Sequence, residues 1–542
     1  MFKVLEPGVI ENKQTAITPL IIGQWEEKLG GYVEYEKIIE GIRSGFKLGL
    51  KEESILKSAK GSQGNKELSY CMKKEMDLNR IIGPFIKPPI PDLHISPVQA
   101  ISKKTPGKCR LIHNLSAPHG NSVNEAIPDE IKSVTFCKIA DVVDLLLQHQ
   151  HAQMFMSKVD LKDAFRIVPI HKSNWRYLGM KINEFYYVDT VLPMGCGTSC
   201  AIFQTLTRAL CWMVTKEIPG ISIFGYLDDF LLVSQGRDNA EKHLAAFLKL
   251  CHNLGIPIAE EKTAGPLQSL IFLGIGIDTI NNSLYLDIAK KDKYIKKITE
   301  FMGKRKGSVK QWQSLVGVLA FLAQVVQPGK AFMSRISRKL GCRSKRIRVS
   351  NDVKSDLMAW KFFINNDMFK PFRMLDSNIT PSAHWWTDAS GAHGFGAVFG
   401  SKWLYGSWND TWWSNQNIML LELYPIWLSI KVWGHLVKDS CVLIHTDNQA
   451  LVSVVTKRSS KLAMANALLR DISVDCMRFN IILQCTHVAG IDNSIADMLS
   501  RLQIERFTNT VGRDMDLTPT ACPRKWSPSN CKNMLMSFCD IV

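Results

Sequence analysis

The sequence of 542 residues predicts a mixed α/β (α+β) fold class. Apolar, β-favouring runs flank the pair Asp228-Asp229, which is typical of a β-hairpin with a tight turn. The run from Gln311 to Ala323 has its apolar residues at helical spacing. A second segment that mixes both patterns begins near Ser382 and ends near Leu502. Strand-like and helix-like patterns therefore recur along the chain, as the α/β class requires.

The composition indicates a large globular protein with an anionic partner. The length exceeds what one ordinary hydrophobic core supports, so about two to four domains are expected. Hydrophobic residues make up 46% of the chain and charged residues 22%, which is globular rather than disordered. The net charge of +17 favours association with a polyanion.

The cysteines and the hydropathy pattern indicate an intracellular protein, in the nucleus or the cytoplasm. The fourteen cysteines follow no secretory signal and no framework spacing, so reduced thiols are expected. No apolar run reaches about 18 residues, which argues against a membrane span and a membrane partner.

The predicted hairpin and one upstream strand supply three carboxylates. Two like charges at a hairpin tip are costly unless cations neutralise them, although a lone Asp-Asp is more often a solvated turn. Here a second apolar strand, Phe155 to Val159, ends in Asp160. A strand-end Asp and a hairpin Asp228-Asp229 are the minimal ligand set for two-metal nucleotidyl transfer, and such oxygen ligands suit Mg²⁺.

These carboxylates belong to a longer series of motifs. Asp160-Leu-Lys-Asp-Ala-Phe165, Leu192-Pro-Met-Gly195 with Phe203-Gln204, and Tyr226-Leu-Asp-Asp229 occur in this order. The series resembles the palm motifs of reverse transcriptases. The resemblance implies a right-hand polymerase with fingers, palm and thumb, which binds an RNA template, a DNA primer and deoxynucleoside triphosphates. It also implies that the three Asp residues hold two Mg²⁺ ions, for which Mn²⁺ is a substitute.

The same resemblance assigns phosphate contacts to three basic residues. Two strand-like runs around a Thr-Pro-Gly turn resemble the fingers hairpin, in which Lys103 and Arg110 would contact the incoming triphosphate. Lys262 would lie near the leaving pyrophosphate. An exposed basic hairpin without this role is the alternative for the first two residues.

Three further residues are assigned to the nucleotide and the template. Phe165 would pack under the sugar and exclude a 2′-hydroxyl, and an ordinary core aromatic is the alternative. Gly195 opens a Gly-rich turn before a helix, where backbone can approach a base pair closely. Gln204 completes this template pocket by the resemblance.

A second group of acidic residues occurs near the C-terminus. Asp388 is central in a strand-like run, Glu422 lies in an apolar helical run, Asp447 ends an apolar strand, and His487 precedes Asp497 at a helix start. In this order they resemble a type 1 ribonuclease H. The resemblance implies a ribonuclease H fold, four carboxylates that hold two further ions, a histidine for proton handling or product release, and an RNA–DNA hybrid as substrate.

The motifs divide the chain into five predicted segments. They are an N-terminal extension (1–80), fingers and palm (81–284), a helical thumb or connection (285–380), a ribonuclease H domain (381–502) and a poorly ordered C-terminal tail (503–542). Basic clusters at 290–310 and 335–348 are expected to contact phosphates rather than form only a solvated face.

Several runs point to a subclass of reverse transcriptase. Leu254 to Pro266, Phe272 to Thr279 and Val325 to Lys330 resemble DIRS-type retrotransposons, which integrate with a tyrosine recombinase. The chain has no protease, integrase or recombinase signature, so a recombinase partner would be separately encoded. The alternative function is a catalytically silent, host-retained nucleic-acid-binding scaffold. The presence of all seven acidic ligands favours the enzyme.

Overall fold

The computed structural model describes residues 4–13, 15–51, 56–102, 109–149, 151–326, 328–341, 344–370, 379–408 and 411–539. The chain forms two compact units, residues 1–273 and 274–542. Each unit contains both helices and sheets, so the predicted α/β class is confirmed. The predicted borders of the five segments stay predictions.

The first unit contains ten strands and eight α-helices among its described residues. The strands are β1 Ile81–Phe85, β2 Val98–Ser102, β3 Cys109–His113, β4 Met154–Asp160, β5 Gly179–Ile182, β6 Phe185–Asp189, β7 Ile221–Tyr226, β8 Asp229–Gln235, β9 Ala264–Leu267 and β10 Ser269–Phe272. The helices are α1 Gly8–Asn12, α2 Ile22–Lys28, α3 Tyr35–Ser44, α4 Lys66–Asp77, α5 Asp129–Lys132, α6 Ile139–Gln148, α7 Ser199–Glu217 and α8 Arg237–Asn253.

A four-stranded antiparallel sheet with the order β7-β8-β4-β9 lies at the centre of this unit. The predicted hairpin is confirmed as β7 and β8, joined by Leu227 and Asp228. Leu227 has φ +52°, because a two-residue turn of this kind needs positive φ at its first position. Helix α7 packs on β7, and the buried side chains of Phe203 and Phe230 join the core between them.

The residues that precede β1 pack into the same core. Trp25 is almost fully buried, and its indole Nε1 donates a hydrogen bond to the carbonyl oxygen of Leu254 at 3.0 Å. Ile38 and Ile42 of α3 are buried in the same cluster. Helices α2 and α3 therefore contribute to the core of the first unit.

A disulfide bond joins α4 to β3. The Cα atoms of Cys71 and Cys109 are 6.4 Å apart. The expectation that the cysteines are all reduced thiols is therefore wrong for this pair. The sequence does not reveal the pairing because β3 meets α4 only in the folded chain.

The second unit contains nine strands and eleven α-helices among its described residues. The strands are β11 Ile275–Asp278, β12 Ser283–Tyr285, β13 Lys306–Ser308, β14 Arg346–Arg348, β15 Ala383–Ala389, β16 Gly394–Phe399, β17 Lys402–Ser407, β18 Cys441–Thr446 and β19 Ile482–His487. The helices are α9 Ile288–Met302, α10 Val309–Leu322, α11 Ser334–Arg338, α12 Asn351–Asn365, α13 Thr411–Ser414, α14 Ile418–Trp433, α15 Gln449–Lys457, α16 Ala463–Arg478, α17 Ser494–Ser500, α18 Ile504–Val511 and α19 Pro528–Cys539.

A five-stranded mixed sheet with the order β17-β16-β15-β18-β19 positions the second acidic group. Strands β15, β16 and β17 are antiparallel neighbours, whereas β15, β18 and β19 run parallel. Helices α14 and α16 cover one face with a core that includes Trp385, Tyr424 and Leu468. Helix α17 packs on the other face, where a Cβ at Gly396 would lie 2.3 Å from the Cβ of Leu499.

The C-terminal tail is folded, contrary to the expectation of poor order. It contains α18 and α19, and Cys531 and Leu535 belong to the core of the second unit. The hydroxyl of Tyr424 donates to the carbonyl oxygen of Trp526 at 2.8 Å. The Pro and Ser residues of the tail favoured disorder in the sequence, but the buried side chains of Phe507, Cys531 and Leu535 anchor it to the second unit. Within the described ranges, no helix combines the length and apolarity that crossing a bilayer would need.

Candidate active sites

The first acidic group lies where two strands of the central sheet meet the hairpin turn. Strand β4 ends at Asp160 and β8 begins at Asp229, and these two residues are directly opposite each other in the antiparallel pair. Asp228 occupies the turn, and its carbonyl oxygen accepts a hydrogen bond from the Leu161 backbone at 2.9 Å. The predicted strand-end and hairpin positions thus lie together at one end of the two central strands.

Two lysines provide counter-charge to this group. Lys262 Nζ lies 2.5 Å from Asp160 Oδ1, and Lys158 Nζ lies 3.1 Å from Asp229 Oδ1. Burial raises the pKa of Asp228, and the charges of Asp160 and Asp229 add to that shift. Burial opposes protonation of Lys262, but the hydrogen bond and charge of Asp160 raise its pKa. The three carboxylates lie at the same end of the sheet and repel one another, so divalent cations would stabilise their ionised forms.

Helix α7 holds the hairpin turn through two side chains. Gln204 is buried, and its amide oxygen accepts from the backbone N–H of Leu227 at 2.9 Å while its amide nitrogen donates to Gly225 at 3.2 Å. The hydroxyl of Thr207 lies 2.8 Å from the carbonyl oxygen of Leu227. A Cβ at Gly225 would lie 2.5 Å from Thr207 Cγ2, so glycine allows this close approach.

Thr207 does not stand out in the sequence, and Gln204 is predicted there only as a substrate contact. A helical threonine seldom stands out, because its hydroxyl commonly bonds within its own helix. Its spacing of three residues from Gln204 was the available signal, since that spacing places both side chains on one helix face. Substrate contact by Gln204 stays a prediction.

Phe165 and Gly195 lie beside this arrangement. Phe165 is half-buried, and its ring meets that of Phe203 edge-on with centroids 5.3 Å apart. Gly195 has φ +126°, and a Cβ there would lie 2.1 Å from the carbonyl oxygen of His113 at the end of β3. Glycine is therefore required at position 195, whereas the half-buried ring is compatible with a gate or with packing.

Arg110 lies on β3, and Lys103 falls outside the described residues. The exposed Arg110 borders a small cavity that is also lined by Lys74, Asp163 and Arg166. Arg166 is buried, with its guanidinium 2.9 Å from Glu75 and 2.8 Å from Asp189. Sequence reasoning missed this ion-pair network, because its members are far apart in the chain.

The second acidic group is more compact. Asp388 of β15, Glu422 of α14 and Asp447, which follows β18, have carboxylate oxygens within 4.8 Å of one another. Strands β15 and β18 are parallel neighbours, so the carboxylates approach at the same end of the sheet. Glu422 reaches them from the helix that covers the sheet's main core.

The electrostatics of this group favour a bound cation. Burial raises the pKa of Asp388 to about 6, and Asp447 and Asp497 add to the shift against the hydrogen bond from Ser500. Burial also raises the pKa of Glu422 well above its usual range, with added repulsion from Asp388 and Asp447. Within the described part of the chain, Glu422 Oε2 is buried without a hydrogen-bond partner. Oxygen ligands that repel one another, with one orphaned atom, fit Mg²⁺.

The remaining two predicted residues lie at the rim. Asp497 of α17 is outside the 4.8 Å group, and its Oδ1 accepts from Arg501 Nε at 2.7 Å. His487 is exposed, and its Nε2 lies 3.1 Å from the backbone oxygen of Asp447. Their catalytic roles stay predictions.

Comparison with known families identifies one domain. Residues 101–277 match the family described as reverse transcriptase (RNA-dependent DNA polymerase). The chain is 28% identical over 179 residues to the Gag-Pro-Pol polyprotein of Human T-cell leukemia virus 2, covering 32% of this chain. It is 22% identical over 292 residues to the Gag-Pol polyprotein of Walleye dermal sarcoma virus, covering 52% of this chain. The chain therefore contains a reverse transcriptase domain of retroelement or retroviral type.

The matched segments span 12% and 16% of those two polyproteins. Among solved structures, the chain is similar to the foamy viral protease-reverse transcriptase in complex with dsDNA. That similarity has a TM-score of 0.48 and 16% identity, and it covers 88% of this chain and 98% of the other.

Proposed function

We propose that the protein is an RNA-directed DNA polymerase with ribonuclease H activity, which copies retroelement RNA into DNA and degrades the RNA of the resulting hybrid. The observation that carries the polymerase part is the pairing of Asp160 with Asp229 beside the Asp228 turn. Its substrates would be an RNA template, a DNA primer and deoxynucleoside triphosphates. The proposal includes the DIRS-type subclass, with a separately encoded recombinase. This part is supported by the runs Leu254 to Pro266, Phe272 to Thr279 and Val325 to Lys330, which resemble that subclass.

Asp160, Asp228 and Asp229 would hold two ions in the first site, and Asp388, Glu422, Asp447 and Asp497 two in the second. Bound Mg²⁺, or Mn²⁺, would activate the attacking oxygen (the primer 3′-hydroxyl or water) and stabilise charge on the transferred phosphate.

The other residues of the polymerase site would bind the phosphates, orient the Asp228 turn or exclude a ribose 2′-hydroxyl. Lys262 would exchange its carboxylate partner for the leaving pyrophosphate, since its ammonium already lies at the acidic edge. Lys103 and Arg110 would contact the triphosphate. Gln204 would fix the turn that carries Asp228, and Phe165 would fill the space of a 2′-hydroxyl.

In the second site, the buried pair Asp388 and Glu422 would bind from the strand and the helix. Asp447 is exposed at the strand end and so can reach both the cation and the scissile phosphate. His487, on the adjacent strand, would accept or release a proton near the product.

The direct test is extension of a labelled DNA primer on an RNA template by the purified protein with Mg²⁺. The proposal expects template-dependent extension that a chelator abolishes, followed by shortening of the RNA within the hybrid. Binding of the primer–template without any extension under Mg²⁺ or Mn²⁺ would instead indicate a silent scaffold.

A further inference from the structure

The segment that carries Phe165 is held from both sides by charged side chains. It forms a short 3-10 helix, Ala164–Ile167, which begins directly after Asp163. Asp163 has φ +60°, a left-handed conformation that costs free energy in residues other than glycine. Arg80 stabilises this conformation, because its Nη1 donates to Asp163 Oδ2 at 3.1 Å. The backbone that places Phe165 therefore depends on a charge contact with a residue far away in the sequence.

On the other side of Phe165, the guanidinium of Arg166 contacts two carboxylates. Its Nε donates to Glu75 Oε2 at 2.9 Å, and its Nη1 donates to Asp189 Oδ2 at 2.8 Å. Nη1 also lies 3.5 Å from the carbonyl oxygen of Leu192, which opens the predicted template-pocket motif. The Arg166 side chain is only 7% exposed, so it acts on its neighbours in the fold rather than on a substrate.

These contacts form one largely buried set of charges, which we call the anchor cluster. It joins helix α4 and strand β6 to both sides of the Phe165 segment, and its members are Glu75, Arg80, Asp163, Arg166 and Asp189. A buried charge is costly unless its partners stay in contact, so the cluster disfavours any arrangement in which Arg166 leaves its two carboxylates. Because Phe165 is the preceding residue in the chain, this restraint acts directly on its backbone.

We propose that Arg166 is a positioning residue for the nucleotide gate, and that helix α4 takes part in sugar selection through Glu75. This role rests on the proposed function, in which the ring of Phe165 fills the space of a 2′-hydroxyl. A displacement of about 1 Å relieves such a clash, and misplacements of this size change rates by up to about a hundredfold. The helix that precedes β1 thus contributes to selectivity against ribonucleotides without contacting the nucleotide.

The test uses four variants of the full chain. Arg166→Met removes the positive charge at a similar side-chain length, and Glu75→Gln removes a negative charge but keeps an oxygen that can accept from Arg166. Arg166→Lys keeps the positive charge and is the rescue variant. Leu68→Ala is the control on the same helix, because Leu68 is buried in an apolar cluster and its truncation loosens α4 without removing a charge.

The first measurement is the ratio of ribonucleotide to deoxynucleotide efficiency in single-nucleotide insertion, because the folded fraction of the enzyme cancels in this ratio. The ratio should rise roughly tenfold or more in Arg166→Met, less in Glu75→Gln, and least in Arg166→Lys. Leu68→Ala should lower Tm and keep the wild-type ratio. A wild-type ratio in both Arg166→Met and Glu75→Gln, or an equal rise in Leu68→Ala, would overturn the proposal. If Arg166→Met does not fold, the ratio of Glu75→Gln decides.

The second measurement is hydrogen exchange, which reports the positioning without catalysis. The amides of residues 164–168 should exchange several-fold faster in Arg166→Met and Glu75→Gln than in the wild type, and at the wild-type rate in Leu68→Ala. Wild-type exchange in both charge variants would overturn the inference whether or not the protein extends primers. Failure of the wild type to extend a primer would overturn the proposed function instead.

Discussion

The side-chain amide of Gln204 bonds the backbone of Leu227, with the Leu227 N–H donating to Gln204 Oε1 at 2.9 Å. Leu227 precedes Asp228 in a turn with positive φ, so a buried helix residue restrains the position of a predicted metal ligand. This bond links the predicted template pocket on α7 to the hairpin that carries the predicted metal ligands.

Replacing Gln204 with Met, which keeps the length and removes both hydrogen bonds, should lower kcat for primer extension about tenfold to a hundredfold. The physical reason is the loss of two buried hydrogen bonds, each worth about 1–3 kcal/mol, at the turn of Asp228. Thr205→Ala on the same helix is the matched control. Steady-state kinetics that show only a raised KM for the nucleotide would favour a substrate contact over positioning.

A second prediction concerns pH and Mg²⁺ at the compact acidic group. The folded pKa of Asp388, about 6, lies above its ordinary value of 3.8, so the folded state holds the proton more tightly. This group's contribution to stability is therefore lost as pH rises through that window. Mg²⁺ needs the ionised form, so it should raise Tm by a few degrees at about pH 7.5 and much less at about pH 5.

The check is thermal unfolding with and without Mg²⁺ at both pH values. Asp388→Asn removes the titrating group, so the difference between the Mg²⁺ shifts in Tm at the two pH values should become smaller. A wild-type Mg²⁺ shift that is the same at both pH values would argue against a cation bound by these carboxylates.

A third prediction concerns Phe165 as the gate against ribonucleotides. Phe165→Val should raise ribonucleotide incorporation relative to deoxynucleotide incorporation by orders of magnitude, because a smaller side chain leaves room for the 2′-hydroxyl. If the ring serves only packing against Phe203, truncation should cost about 1–4 kcal/mol of stability and lower both activities together. Single-nucleotide insertion with both sugar types distinguishes the two results by the ratio of efficiencies.

Local sequence patterns predicted individual strands, helices and turns, because each of these depends on residues that are close together in the chain. The hairpin at Asp228, the strand that ends in Asp160 and the helix that carries Glu422 each follow from a few adjacent residues. The meeting of Asp388 and Asp447 was implied only by the resemblance to a type 1 ribonuclease H, and in the structure it results from the parallel pairing of β15 with β18.

Contacts between distant segments were not predictable in this way. The pairing of Cys71 with Cys109 and the contact of Thr207 with Leu227 depend on how elements pack. The order of the C-terminal tail was not predictable for the same reason, because Cys531 and Leu535 are buried only when α19 packs into the core of the second unit.

A fourth prediction separates the two sites through Asp447. Asp447→Asn should remove RNA cleavage from an RNA–DNA hybrid, because it takes one charge from the three carboxylates within 4.8 Å. Primer extension should persist, since its predicted ligands lie in the other unit. Gel analysis of both strands of a doubly labelled hybrid measures the two activities together. Cleavage at the wild-type rate would remove Asp447 from the proposed metal site.

The central claim is that Asp228 serves nucleotidyl transfer in the first unit. The most direct measurement is the single-turnover rate of primer extension on an RNA template for the wild type and Asp228→Asn, with hybrid cleavage measured in the same samples. The proposal predicts that extension falls by several powers of ten, at tenfold for each ~1.4 kcal/mol lost from the transition state, while cleavage is largely retained. Extension by the variant at the wild-type rate would contradict the assignment of the polymerase site.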